Sequence, residues 1–264
     1  MHEILRRLPV RAYVLDLGSA SGSFNANDYP TLTFRADLDT PRHAVLNFVQ
    51  CDAARLPFAS RAFAAVISNH SLEHFADLES TLREIGRVIQ PGGSLYVAVP
   101  DSTTITDRIY RWIAKGGGHV NPFTSADKLA AVIERATGLP LRATRVLCTS
   151  LVYLNTRING PWPRKKLLLG GGSEISLRWL TYFLRIFDRL FGAKASVYGW
   201  AFYFGAIEET IDLESWTSVC IRCGAGHSAA SLVSNNRVTR NLFRIRRYDC
   251  PNCGARNLFT CDRG

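Results

Sequence analysis

The chain has no run approaching the roughly 18 uninterrupted apolar residues of a membrane-spanning helix. Its opening, MHEILRRLPVRA, lacks the apolar core of a signal peptide. These absences set the expected location as cytoplasmic, with a peripheral position at the inner membrane face kept open by a helix described below. No separate RNA-binding domain is recognisable. Basic residues are missing altogether from 195–216, which carry four acidic ones, while 157–194 and 217–264 each hold 8 Lys+Arg against 2 Asp+Glu. Residues 1–156 are nearly balanced, 16 against 14, so the net charge of +10 belongs to a middle insert and a C-terminal module. Such patches suit solubility or an anionic partner, a nucleic acid or a lipid head group. Cysteine is sparse and odd in number, seven in all, which with a reducing compartment argues against a disulfide framework.

What is present reads as an α/β chain. At 264 residues it fits one medium domain plus something small. Tyr13–Phe24, YVLDLGSASGSF, begins as a short apolar strand closed by Asp16 and continues as a loop with almost no side-chain bulk. Glycine there removes Cβ and permits positive φ, so a ligand can approach the backbone closely. Further strands are expected at Thr31–Ala36, Ala44–Cys51, Phe63–Ser68, Ser94–Val99 and Arg142–Leu154. Helices are expected at Leu78–Ile89 and Ala126–Ala136. Strands joined by helices or short crossovers give a mainly parallel sheet.

Five segments, VLDLGSASG, ADLD, CDAARLPF, SNHSLEH and REIGRVIQPGGSLYVAVP, follow one another in the order of a known family. Over about residues 10–150 the chain resembles the class I S-adenosylmethionine-dependent methyltransferases, of the type 11 kind. The resemblance implies a Rossmann-like sheet, parallel with a last antiparallel strand that Val197–Ile207 suits, and S-adenosyl-L-methionine as cofactor. It places Asp16, Gly18, Ser19 and Gly22 on the methionine and ribose side, a carboxylate from Asp37 or Asp39 on the ribose hydroxyls, Asp52 and Ala53 at the adenine, and Asn69 near the cofactor. Two departures stand out. Ala20 replaces the family's usual third glycine, and only a short link joins the loop to the second strand, where the family has a full helix. His70 and His74 follow the fourth strand, where relatives face their substrates, and His119 precedes a helix; each is a candidate base, since imidazole titrates near neutrality.

Residues 155 to about 195 form an insert within a methyltransferase domain spanning 1–210. Inside it Ser176–Phe191 is amphipathic: Arg178, Thr181, Tyr182, Arg185, Asp188 and Arg189 share one face, and apolar residues make up the rest. It reads either as a lid helix packing its apolar arc on the protein or as a helix lying in an anionic membrane surface. Residues 216–264 resemble a zinc ribbon. Cys220-Ile-Arg-Cys223-Gly and Cys250-Pro-Asn-Cys253-Gly are two C-x-x-C turns able to complete a tetrahedral structural zinc site, with 26 residues between them. Its arginines, Arg237, Arg240, Arg244, Arg246 and Arg247, alternate with Leu242, Phe243, Ile245 and Tyr248 in a pattern that could track phosphates while an aromatic stacks on a base. The expected function is methyl transfer to a small-molecule, lipid-linked or glycan-linked acceptor. The alternatives are an RNA methyltransferase gripping its substrate with the ribbon and a non-catalytic adaptor on the same scaffold.

Overall fold

The structure, a computed structural model, describes residues 1–19, 22–41, 43–113, 118–159, 172–207, 216–240 and 245–259. Its strands are β1 (Tyr13–Leu17), β2 (Leu32–Asp37), β3 (Phe48–Gln50), β4 (Phe63–Asn69), β5 (Ile89–Pro100), β6 (Leu141–Cys148), β7 (Val197–Gly205), β8 (Trp216–Val219), β9 (Gly226–Ser228), β10 (Val238–Arg240), β11 (Arg246–Asp249) and β12 (Arg256–Leu258). The helices are α1 (His2–Leu5), α2 (Leu78–Val88), α3 (Ile105–Ile113), α4 (Ala126–Thr137), α5 (Thr156–Asn159), α6 (Glu174–Phe191) and α7 (Ala229–Ser234). The chain falls into two compact units. One holds Met1–Pro100, Gly118–Thr144 and Trp200–Ile211; the other holds Asp101–Gly117, Arg145–Gly199 and Asp212–Gly264.

In the first unit the strands run in the order β3-β2-β1-β4-β5-β7-β6. β2 lies parallel to β1, β1 to β4 and β4 to β5, and a last antiparallel strand completes the sheet. The sequence explains the burial. Val14, Leu15, Val66, Ile67, Val97 and Val99 are inaccessible, and the near-continuous apolar runs of β1, β4 and β5 suit strands covered on both faces. Each such side chain contributes roughly 1.5–3 kcal/mol on burial. Helix α2 starts where the Asp77 side chain accepts from the Ser80 amide, and buries Leu82 and Ile85. Helix α4 starts at Ser125 and ends at Gly138, whose φ of +71° supplies the left-handed residue that closes it.

Several boundaries differ from the sequence reading. β3 covers three residues rather than Ala44–Cys51. β5 begins at Ile89, because the Pro91–Gly93 stretch is absorbed by a register shift between Phe63 and Ala65 on β4. β6 stops at Cys148, and Val152–Leu154 form a 3₁₀ turn entered through Leu151 at φ +52°. The link between Gly22 and β2 holds only a 3₁₀ turn, Ala26–Asp28, with the Asn25 side chain accepting from the Asn27 amide.

In the second unit the end of β6 pairs in parallel with β8, and β8 pairs antiparallel with β9. Strands β10, β11 and β12 form a separate antiparallel sheet. Helix α6 divides its apolar arc: Leu177, Leu180 and Leu184 pack with Leu151, Leu154, Ile109 and Tyr153, while the rest of the arc stays outside. Leu177, Thr181 and Arg185 are buried, while Ile175, Trp179, Phe183, Phe187 and Phe191, one every four residues, are 38–69% exposed. The polar side chains at the inner face and the helix start find partners of their own. Arg222 donates from both Nε and Nη2 to the Glu174 carboxylate at 2.6 Å, Arg178 Nε donates to the Arg256 carbonyl at 3.0 Å, and Arg185 Nη1 donates to Ser218 Oγ at 3.1 Å. The insert expected near 155–195 therefore packs with the cysteine-bearing segment, and its residues 160–171 lie outside the described ones.

Candidate active site

The site is built where β1, β2 and β4 end side by side. Gly18 follows β1 and donates its amide to the Ala36 carbonyl on β2 at 2.7 Å, holding the loop against the neighbouring strand end. Its φ of +69° is one glycine adopts freely, and a Cβ there would collide with the Ser71 side chain and come within 2.9 Å of the Phe75 ring. At Gly22, φ +117°, a Cβ would lie 2.5 Å from the Arg35 guanidinium. Ser71 is buried, donating from Oγ to the Leu17 carbonyl at 2.9 Å, so the turn after β4 is fastened beneath the loop after β1.

Asp16 is fully buried at the end of β1. One carboxylate oxygen, Oδ2, accepts from the Ser23 amide at 2.8 Å and lies 3.7 Å from Arg35 Nε. The other, Oδ1, has no hydrogen-bond partner among the described residues. Burial raises its pKa, opposed by the Ser23 bond and the Arg35 charge. A buried oxygen of that kind, beside a loop that excludes side chains, fits a cationic or hydrogen-bond-donating cofactor group. Asp37 is the last residue of β2 and half-buried; its Oδ1 accepts from the Asp39 amide at 3.2 Å. Asp39 lies two residues beyond the strand and is exposed. Asp52 is exposed, its carboxylate accepting from the Ala54 amide at 2.9 Å, with Ala53 buried beside it. Asn69, half-buried, ends β4, in register with Ala98. Ser19 is half-buried, with Oγ donating to the Asp16 carbonyl at 3.3 Å; Ala20 and Ser21 lie outside the described residues.

The three histidines gather after β4. His70 has φ +57°, an uncommon backbone for a non-glycine residue, and donates its amide to the Ala98 carbonyl at 2.8 Å. Its Nδ1 is 4.0 Å from Glu73 Oε1. Burial lowers the His70 pKa to about 4, helped by the charges of His119 and His74, so the ring is neutral at pH 7. His74 and His119 meet edge to face with ring centroids 4.9 Å apart. Sequence reasoning missed the clamp that brings them together. Asn121 Nδ2 donates to the Leu72 and Phe75 carbonyls, and the Val120 and Asn121 amides donate to the Glu73 carbonyl. It also missed Arg35, whose signal was a lone cation in the otherwise neutral strand TLTFRA.

In the second unit the Sγ atoms of Cys220, Cys223, Cys250 and Cys253 all lie within 4.8 Å of one another. Two of the separations, Cys220–Cys253 and Cys223–Cys250, are 3.7 Å. Ligands about 2.3 Å from a tetrahedral zinc sit roughly 3.8 Å apart, so the spacing fits that ion. The two turns are copies of each other. Cys220 and Cys250 donate their amides to the Ala225 and Ala255 carbonyls, and Gly224 and Gly254, both near φ +70°, donate back to the cysteine carbonyls. His227 stands 3.2 Å from the Cys250 sulfur, as a neighbour of a four-thiol set. Tyr248 packs in the core with Leu232 and Phe259, which removes it as a base-stacking ring; Leu242, Phe243 and Arg244 lie outside the described residues. Cys148 is buried and Cys51 partly so.

Residues 14–97 match a family model described as a methyltransferase domain. A solved structure of a candidate methyltransferase from Bacillus halodurans superposes with a TM-score of 0.50 at 20% identity, covering 76% of this chain and 95% of that one. The fold is a Rossmann-like methyltransferase fold. Among curated relatives, a demethylmenaquinone methyltransferase of Mycolicibacterium paratuberculosis is 48% identical over 131 residues, 48% of this chain and 49% of that protein. An O-methyltransferase of Pyrenophora dematioidea is 31% identical over 150 residues, 55% of this chain and 52% of that protein. The chain thus spans about half the length of these two relatives.

Proposed function

We propose that this chain transfers a methyl group from S-adenosyl-L-methionine to a small acceptor carrying a lipid tail, and that its four cysteines hold a structural zinc ion. The observation that carries the cofactor half is the adjacency of the Gly18 loop to the Asp37 strand end, with one oxygen of buried Asp16 left over. When bound, S-adenosyl-L-methionine supplies an electrophilic methyl on a sulfonium. The chain's own work is binding, orientation and exclusion of water. Gly18, Ser19 and Gly22 let the ribose and methionine lie against backbone, Asp16 lends a carboxylate, and Asp37 is favoured over Asp39 for the ribose hydroxyls because it stands at the strand tip. Asp52 and Ala53 line the adenine side, and Asn69, at the tip of β4, stands near the cofactor. His70, His74 and His119 face the acceptor; a neutral imidazole among them can take its proton.

The lipid half rests on α6. Five large apolar side chains along a ridge of about 24 Å, at 1.5 Å rise per residue, lie exposed next to Arg189 and Lys194. Arginine and lysine beside aromatic rings suit the surface of an anionic bilayer. The demethylmenaquinone methyltransferase among the relatives is named for a lipid-soluble quinone, which fits the same direction. The test supplies methyl-labelled S-adenosyl-L-methionine with a total lipid extract and, separately, total RNA. Label in the solvent-extractable lipid is the expected result. Label in RNA would replace this reading with the ribbon-gripped nucleic-acid alternative, and label in neither would overturn methyl transfer to both.

A further inference from the structure

We propose that Glu73, His74 and His119 form a binding site for a divalent transition-metal ion, separate from the four-cysteine cluster. One ligand atom from each lies within 4.8 Å of the other two. Zinc ligands at about 2.0–2.2 Å stand roughly 3.4 Å apart, so side-chain rotations of about 1 Å close the set. Exposed His74 has room to make them.

Three features mark this as a built arrangement. The first is the tautomer of His74. Its Nδ1 is 3.1 Å from the Gly118 carbonyl, and a carbonyl only accepts, so Nδ1 carries the proton and Nε2 presents its lone pair outward. Metal-bound histidines have this same support, the second ring nitrogen donating to a carbonyl or carboxylate. The second is rigidity. The segment bearing His119 is tied to the turn bearing Glu73 and His74 by four hydrogen bonds: Val120 and Asn121 amides to the Glu73 carbonyl at 2.8 and 3.0 Å, and Asn121 Nδ2 to the Leu72 and Phe75 carbonyls at 3.1 and 2.7 Å. Residues 45 positions apart are thereby held in register without a metal. The third is burial: Glu73, 1% exposed, forms the inner end of the cluster and exposed His74 the outer end, so an ion can enter from one side and be held from the other.

Two imidazoles and one carboxylate select the ion. This is the donor set of three-ligand zinc sites, and it also suits cobalt, iron or manganese; magnesium and calcium prefer oxygen alone. Three protein ligands leave a position open for an oxygen, from water or from an acceptor's hydroxyl. Used in methyl transfer, an idea that rests on the proposed function, the ion takes the place of a His74 or His119 base: the bound hydroxyl gives its proton to solvent water as the acceptor seats, before water is excluded. The O–CH₃ bond then forms as the S–CH₃ bond breaks, the sulfur keeping the electron pair.

The existence of the site does not depend on methyl transfer, and its test does not use activity. The full chain and its His74→Ala/His119→Ala double variant are loaded with zinc, freed of excess by gel filtration and analysed for zinc per chain. The unmutated chain should carry one more equivalent than the double variant, whether or not the cysteines also load. Equal zinc contents would overturn the proposal. A second reading needs no substitution: cobalt in place of zinc should give two exchangeable, hyperfine-shifted imidazole N–H resonances. Finding none of these resonances would also overturn it.

Discussion

At the scale of single residues, cofactor binding and stability turn on positions where a side chain is excluded or a charge is enclosed. Gly18 combines a left-handed backbone with a Cβ path blocked by Ser71 and Phe75. Gly18→Ala should therefore lower stability by about 1–3 kcal/mol and abolish binding of S-adenosylmethionine, read by thermal melting and by equilibrium binding. Glu174 carries a second prediction. The two Arg222 bonds hold its pKa below the ordinary 4.5. A carboxylate with a depressed folded pKa stabilises the fold above its unfolded value, and that contribution fades as pH falls through the folded one. Glu174→Gln should cost about 1–3 kcal/mol at pH 7, and the difference from the unmutated protein should shrink as the pH is taken below 4.5. Paired melting curves across that range check it.

At the scale of elements, the strands around the site were legible in the sequence and the helix α6 was legible only as amphipathic. β1, β4 and the core of β5 announce themselves because buried parallel strands need unbroken apolar runs. The acidic residues that close β1 and β2, Asp16 and Asp37, sit within a residue of the observed ends. The ends of β3 and β6 were misread because an apolar run cannot reveal where pairing stops, and Leu151 turns the chain with a backbone angle no composition signals. Helix α3 went unread. For α6 the period gave two faces but not where the buried stripe falls, since its partners offer apolar groups to Leu177, Leu180 and Leu184 and, beside them, a carbonyl to Arg178 and a hydroxyl to Arg185. The three histidines were named from the sequence; that Asn121 gathers them depends on a contact 46 residues long in sequence. Replacing Phe183 and Phe187 by Asp should leave the melting temperature nearly unchanged, because both rings are exposed. It should also abolish flotation with anionic vesicles; flotation at the unmutated level would remove the membrane role of this face.

At the scale of the whole molecule, two units carry two chemistries: strand tips suited to a nucleoside cofactor, and a four-thiol cluster tied to α6. Zinc sites of this kind contribute directly to folding. A strong chelator should lower the melting temperature of the chain, with restoration on adding zinc; an unchanged melt would show that the cysteines hold nothing structural. The central claim is that a nucleoside-bearing methyl donor rests on the Gly18 loop and the Asp37 carboxylate. Its most direct measurement is calorimetric titration of S-adenosylhomocysteine, the product of methyl transfer, into the zinc-loaded full chain and into Asp37→Ala. The account predicts one equivalent bound by the unmutated chain and an affinity at least about tenfold weaker in the variant, the loss of a charge-assisted contact of about 1.4 kcal/mol or more. No binding to the unmutated chain, or equal binding by both, would contradict it.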